Sequence, residues 1–198
     1  MDYTSKLTKN TGTSLSSTSE YRRLIGRLLY LTNTRPDICY AVEKLSQFLE
    51  CATDKHFEAA IRILRYLKNE LVLGLFFSSQ TDLEPIDFSD SDWGTCSDTR
   101  RSVSGHCLFI GTSIVSWKSK KSSTVAVSSC EAEYRALAMA TREAQWITYI
   151  LEDLQVKLQK PIAMYCDSQS TLHIATNPIF HERTKHIEID CHVVRDKW

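Results

Sequence analysis

Five carboxylates stand where the texture of the chain changes. Asp90 and Asp92 lie in PIDFSDSD (85–92), Glu131 and Glu133 in SSCEAEY (128–134), and Asp167 in PIAMYCDSQS (161–170). Phosphodiester hydrolysis by two divalent cations needs three or four such acids converging on ions about 4 Å apart. Magnesium takes oxygen ligands and keeps several waters, so Asp and Glu are the suitable types and His and Cys are not. Strand parity puts Ile86, Phe88 and Asp90 on one face and Asp87 and Ser89 on the other, so Asp90 closes an otherwise apolar face. On the following helix, Glu133 falls roughly 50° from the centre of the apolar stripe and Glu131 roughly 110° from it. Glu133 is therefore expected at the border of the buried face, and Glu131 towards solvent.

Each acid also has a plainer use. Asp90 and Asp92 suit the opening of a turn. Glu131 and Glu133 complement the dipole of a helix beginning just before them, and for Glu131 that use is preferred. Asp167 can cap the helix that follows it. Three separate element ends, each delivering one carboxylate, favour a shared site over three coincidences.

The elements that must position these acids follow from periodicity. Residues 1–19 are rich in Ser, Thr and Lys and are expected to form a polar tail. Leu24, Ile25, Leu28, Leu29 and Leu31 recur near a 3.6 period with Arg22, Arg23 and Arg27 between them. In TNTRPD (32–37), Thr34 can cap a second helix and Pro36 suits its first turn. A third helix is expected from Asp54 to Asn69, completing a helical segment over 20–76. Residues 77–198 then read as strands at 85–90, 102–111 and 113–119, with a tight turn at Gly111-Thr112. A long helix over 128–154, a strand over 161–167, a short helix near 168–176 and a final helical stretch after Thr184 complete the order. Three strands, helix, strand, helix is the pattern of a mixed α/β (α+β) sheet with flanking helices.

Composition narrows the function. Lys plus Arg and Asp plus Glu each number 24 in 198 residues, which excludes a polybasic nucleic-acid coat. An apolar share of 42% with 24% charged residues excludes a disordered chain. The densest apolar run, LVLGLFF at 71–77, is too short to span a bilayer, and MDYTSKLTKN (1–10) lacks the apolar stretch of a secretory signal. Seven scattered cysteines without a C-x-x-C pair fit a reducing, intracellular compartment. The zero balance hides a basic strip: residues 99–130 carry Arg100, Arg101, Lys118, Lys120 and Lys121 and no acid. These five are the candidate phosphate contacts. Trp93 and Trp117 are expected in the core rather than as stacking platforms. A zinc reading of His181, His186, Cys191 and His192 fails on spacing, because five residues put His181 and His186 about 140° apart on a helix.

Four strings, DFSDSDWGTCSDTRRSVSGHCLFIG, SIVSWKSKKSSTVAVSSCEAEYRALA, YCDSQSTLHIATNPIFHERTKHIEID and CHVVRD, resemble the ribonuclease H domain of copia-type LTR retrotransposon Pol polyproteins. YRRLIGRLLYLTNTRPDICYAV and RILRYLK resemble the end of the reverse transcriptase that precedes it. The resemblance implies a ribonuclease H-like mixed sheet and endonucleolytic cleavage of RNA in RNA–DNA hybrids. It implies two Mg2+ ions, with Mn2+ as a substitute, held by Asp90, Glu133 and Asp167. The family's fourth acid, in an Ala-Asp motif of the terminal helix, has no match before Trp198; Asp92, His186 and Asp190 are possible accessories, and Glu188 also lies close in sequence. The chain is accordingly expected to lack the last helix and to be an impaired nuclease. No Asp-Asp pair is present, so copying DNA is not expected of it. The implied partners are the hybrid and the reverse transcriptase and integrase portions of one polyprotein, with no membrane, in a cytoplasmic particle or the nucleus. A catalytically inactive transposon remnant that binds nucleic acid or has no activity is the rival expectation.

Overall fold

A computed structural model describes residues 7–79, 83–158, 160–177 and 188–195. The chain divides into two compact units, Met1–Leu75 and Phe76–Trp198.

The first unit is built from α1 (Ser19–Leu31), a 3-10 turn (Pro36–Ile38), α2 (Cys39–Ser46) and α3 (Asp54–Asn69). Tyr21, Ile25 and Leu28 of α1 meet Val42 and Leu45 of α2 and Ala60, Ile63 and Leu67 of α3 in one buried cluster. The Tyr21 hydroxyl, inside that cluster, donates to the Leu45 carbonyl at 2.7 Å. Pro36 takes the first position of the 3-10 turn, as its fixed φ favours. Thr34 does not cap it; its hydroxyl donates back to the Leu31 carbonyl at 3.3 Å. α3 starts at a reciprocal cap, in which Thr53 accepts from the His56 backbone and His56 Nδ1 accepts from the Thr53 backbone. The polar segment before α1 is held rather than loose: Thr53 Oγ1 donates to the Thr11 carbonyl at 2.6 Å, and Leu15 N–H to the Ala52 carbonyl at 3.1 Å.

The second unit is a four-stranded sheet of β1 (Pro85–Asp92), β2 (Val103–Ile110), β3 (Ser113–Lys121) and β4 (Ala163–Cys166). The strand order is β3-β2-β1-β4, with β1–β2 and β2–β3 antiparallel and β1–β4 parallel. The left-handed Gly111, at φ 59°, closes the β2–β3 hairpin where the sequence places the turn. With α4 (Ser129–Asp153), α5 (Gln169–Thr176) and α6 (Glu188–Arg195) the unit has the mixed α+β architecture of a ribonuclease H-like fold.

The parity read from β1 holds, but α4 covers the polar side. Asp87, Ser89 and Ser91 are buried, together with their β2 partners Leu108, His106 and Ser104. Phe88 on the opposite face is 48% exposed, stacks on Tyr165 at 5.2 Å and meets Phe109 edge-on at 6.0 Å. The reason is steric. One flank of α4 carries Ala132, Ala136, Ala140 and Ala144, all buried, and this small-residue row suits a strand surface of short side chains. The other flank, with Tyr134, Leu137 and Ala138, joins Ala175 of α5 and Cys191 and Val194 of α6 in a second core. No helix among the described residues is long and apolar enough to cross a membrane.

Candidate metal centre

Three element ends meet at one end of the sheet. Pairing of β1 with β4 ends at Ser89–Cys166, so the next residues along the two strands are Asp90 and Asp167. Neighbouring strands lie about 4.8 Å apart, which sets these two carboxylates side by side on one face. The β2 partner of Asp90 is Gly105, which packs close to the Lys118 backbone carbonyl of β3. α4 begins after Ser128, whose Oγ accepts the Glu131 N–H at 3.2 Å, and brings Glu133 round to the same end.

The Glu133 carboxyl is pushed up to about 7, first by burial, then by the negative charges of Asp90 and Asp167 and, more weakly, Asp92; the Ser91 N–H that it accepts opposes this. Burial, and then the charge of Asp90, raise Asp92 above the ordinary carboxylate range. Glu133 Oε2 is sealed from solvent and has no hydrogen-bond partner among the described residues. A buried carboxylate oxygen that faces two other acids and lacks a donor is the environment a divalent cation relieves. Asp90, Glu133 and Asp167 offer oxygen ligands of the type magnesium takes, and the charge of Asp92 is felt at Glu133.

The plainer uses of the acids sort out differently from residue to residue. Helix capping at α5 is done by Ser168, which accepts from the Thr171 N–H at 3.3 Å, so Asp167 is free of that duty. Asp90 and Asp92 lie inside β1 rather than in a turn. Glu133 is the fifth residue of α4, beyond its first turn. Glu131 differs from its expected place: it is 3% exposed rather than solvent-facing. It accepts from Val127 N–H at 2.7 Å and pairs with Arg135 at 2.6 Å. Its role is structural, as the sequence preferred, because those two partners hold the loop before α4 and compensate the burial of its charge.

Other candidates disperse. Asp190 pairs with Arg142 at 2.7 Å, nine residues along α4 from Glu133, or about 14 Å of helix rise, and so takes no part in the cluster. Glu188 is exposed in the first turn of α6. Cys191 is buried in the second core, and His181 and His186 lie outside the described residues. Arg100, Arg101, Lys118 and Lys120 are exposed. Lys118 and Lys120 pair with His106 and Ser104, two strands away from β1. Lys121 is turned inward instead and donates to Cys96 Sγ at 2.9 Å. Burial alone would raise the Cys96 thiol, but hydrogen bonds from Lys121 and Thr99 outweigh it and bring the thiol down to about 7. Trp93, expected in the core, is 51% exposed at the end of β1, its indole N–H held by the Ala126 carbonyl at 3.1 Å; Trp117 is partly buried.

Sequence reasoning passed over two features. Cys166 lies among the acids: Glu133, Cys166 and Asp167 each offer a ligand atom, and these lie within 4.8 Å of one another. Its neighbour Asp167 was the available signal. Asp87 and His106 form a fully buried pair at 3.6 Å under α4, which only the covering of the polar face creates.

Fold and site together define a ribonuclease H-like unit with a carboxylate cluster at its sheet end. No model of a known protein family matches the sequence. The retrovirus-related Pol polyprotein from transposon RE1 of Arabidopsis thaliana is 42% identical over 192 residues, 97% of this chain and 13% of that protein. The Pol polyprotein from transposon TNT 1-94 of Nicotiana tabacum is 37% identical over 179 residues, 89% of this chain and 13% of that protein. A shorter relative, secreted RxLR effector protein 161 of Plasmopara viticola, is 43% identical over 129 residues, 65% of this chain and 91% of that protein. Homologues at about 40% identity that cover 97% of this chain are thus copia-type retrotransposon Pol polyproteins, and the chain spans 13% of their length.

Proposed function

We propose that this chain is the ribonuclease H region of a retrotransposon Pol polyprotein and cleaves the RNA strand of RNA–DNA hybrids. The observation that supports the reading is that Glu133 of α4 is lifted by burial and by the charges of Asp90 in β1 and Asp167 just after β4. Bound there, magnesium would supply an activated water and stabilise the leaving oxygen. The chain's own residues do the rest. Asp90 and Asp167, at adjacent positions on neighbouring strands, and Glu133, which accepts the Ser91 N–H, would supply the carboxylate ligands. Asp92 adds negative charge beside them. Arg100, Arg101, Lys118 and Lys120 are placed to hold phosphates, and the exposed ring of Trp93 lies next to Asp92. Choice of hybrid over DNA duplex rests on the 2′-hydroxyls and groove shape of the RNA strand. The reverse transcriptase and integrase portions of the same polyprotein are its covalent neighbours in this reading.

The test is cleavage of a labelled RNA–DNA hybrid by the 198-residue chain in magnesium, alongside its Asp90→Asn variant. RNA cut by the first and not by the second supports the reading. Hybrid bound but never cut, in magnesium or manganese, would instead make the chain the inactive, binding-only remnant.

A further inference from the structure

The carboxylate pocket contains a ligand that magnesium does not use. Cys166 is the last residue of β4, paired with Ser89 of β1, and its thiol shares one small space with Glu133 and Asp167. The three ligand atoms lie within 4.8 Å of one another. A tetrahedral zinc ion, with Zn–S near 2.3 Å and Zn–O near 2.0 Å, separates its ligands by roughly 3.3–3.5 Å. Side-chain rotation of about 1 Å therefore brings these atoms onto one ion. A second observation marks the same space: Glu133 Oε2 is sealed from solvent and has no hydrogen-bond partner among the described residues, while the Ser91 N–H is hydrogen-bonded to this carboxylate. One sulfur and two carboxylates make three protein ligands with a fourth position open, a set that favours a thiophilic ion over magnesium.

We propose that Glu133, Cys166 and Asp167 form a binding site for a thiophilic dication of the zinc type, overlapping the magnesium site. On binding, the Cys166 S–H bond gives way to a metal–sulfur bond and the proton passes to solvent; no oxidation state changes. Two of the three ligands are residues that the ribonuclease reading assigns to magnesium. An ion held through Cys166 therefore excludes magnesium and switches the nuclease off. That regulatory consequence rests on the ribonuclease reading, whereas the binding does not.

The experiment keeps the two apart. The reduced 198-residue chain is titrated with Cd2+ in the absence of nucleic acid, and the ultraviolet cadmium–thiolate charge-transfer band is followed. The expected result is one tight equivalent that is lost in Cys166→Ser and in Cys166→Ala. Glu133→Gln and Asp167→Asn should each weaken that equivalent at least tenfold while keeping the band. Zn2+ should displace the cadmium mole for mole. Melting curves of the metal-free variants identify any that do not fold; two cysteine and two carboxylate variants leave a folded one on each side. A tight equivalent that survives in the folded cysteine variant, or is indifferent to both carboxylates, would overturn the proposal by assigning the metal to the other cysteines. Magnesium-dependent hybrid cleavage is scored separately, so a chain that binds cadmium through Cys166 but never cuts RNA overturns only the ribonuclease reading.

Discussion

Replacing Glu133 by Gln should stabilise the metal-free protein above neutral pH and leave it nearly unchanged near pH 4. In the folded chain this carboxyl titrates at about 7 rather than 4.5, because burial and the charges of Asp90 and Asp167 resist its ionisation. Between those two values the folded state keeps a proton that the unfolded state has released. Stability from this group is thus complete below 4.5, falls as pH rises towards 7, and stays low above it. Taken at face value, the displacement is worth about 3 kcal/mol. Glu133 is only partly buried, so solvent screening reduces this to about 1–2 kcal/mol. The amide keeps the shape and the Ser91 contact but cannot ionise. For a domain of this size the gain should appear as a rise in Tm of roughly 3–6 °C at pH 8. Thermal melts of both proteins at pH 4, 5, 6, 7 and 8 in chelator read it directly. Magnesium at pH 8 should narrow the gap by stabilising the parent chain more than the variant, through mass action on the folded state. A Glu133→Gln variant that is destabilised equally at every pH would refute the reasoning, since it would show that the carboxylate is satisfied and uncrowded where it stands.

Asp90→Asn should abolish magnesium-dependent cleavage of the hybrid while leaving hybrid affinity within about twofold, measured by anisotropy in calcium. Replacing both Lys118 and Lys120 by Ala should lower the slope of log affinity against log salt by up to about 1.8, whereas Lys121→Ala should move it little, because its ammonium is held by Cys96; equal effects from all three would contradict the inward placement of Lys121. Tyr21→Phe removes a buried hydrogen bond to the Leu45 carbonyl, which keeps the Phe48 N–H, and should cost about 1 kcal/mol in urea titration of the helical unit. Thr53→Ala deletes the α3 cap and its tie to Thr11 and should cost about 1 kcal/mol, with a fall in helical circular dichroism.

How far the sequence reached can be seen residue by residue. The bounds of α3 were legible because the apolar spacing from Phe57 to Leu67 is a local signal, and Gly111 marked its turn for the same reason. Asp90, Glu133 and Asp167 were legible as acids at element ends, since parity and helical angle are properties of a single segment. Which face of β1 would be covered was not, because period two names two faces without choosing between them. The choice came from the fit of the α4 alanine row to a surface of serines, and it buried Asp87 with His106 while leaving Phe88 exposed. Glu131 was misplaced for a related reason: a helical angle measured on one element says nothing of the loop whose Val127 N–H needs a buried acceptor. Asp190 was decided by Arg142, 48 residues away in the chain, and Cys166 by the arrival of Glu133 from another element. Local chemistry and periodicity thus determined the elements and the identity of the acids. The tertiary structure alone decided which partners each met, because burial and charge pairing depend on what a neighbouring element brings to the same few ångströms.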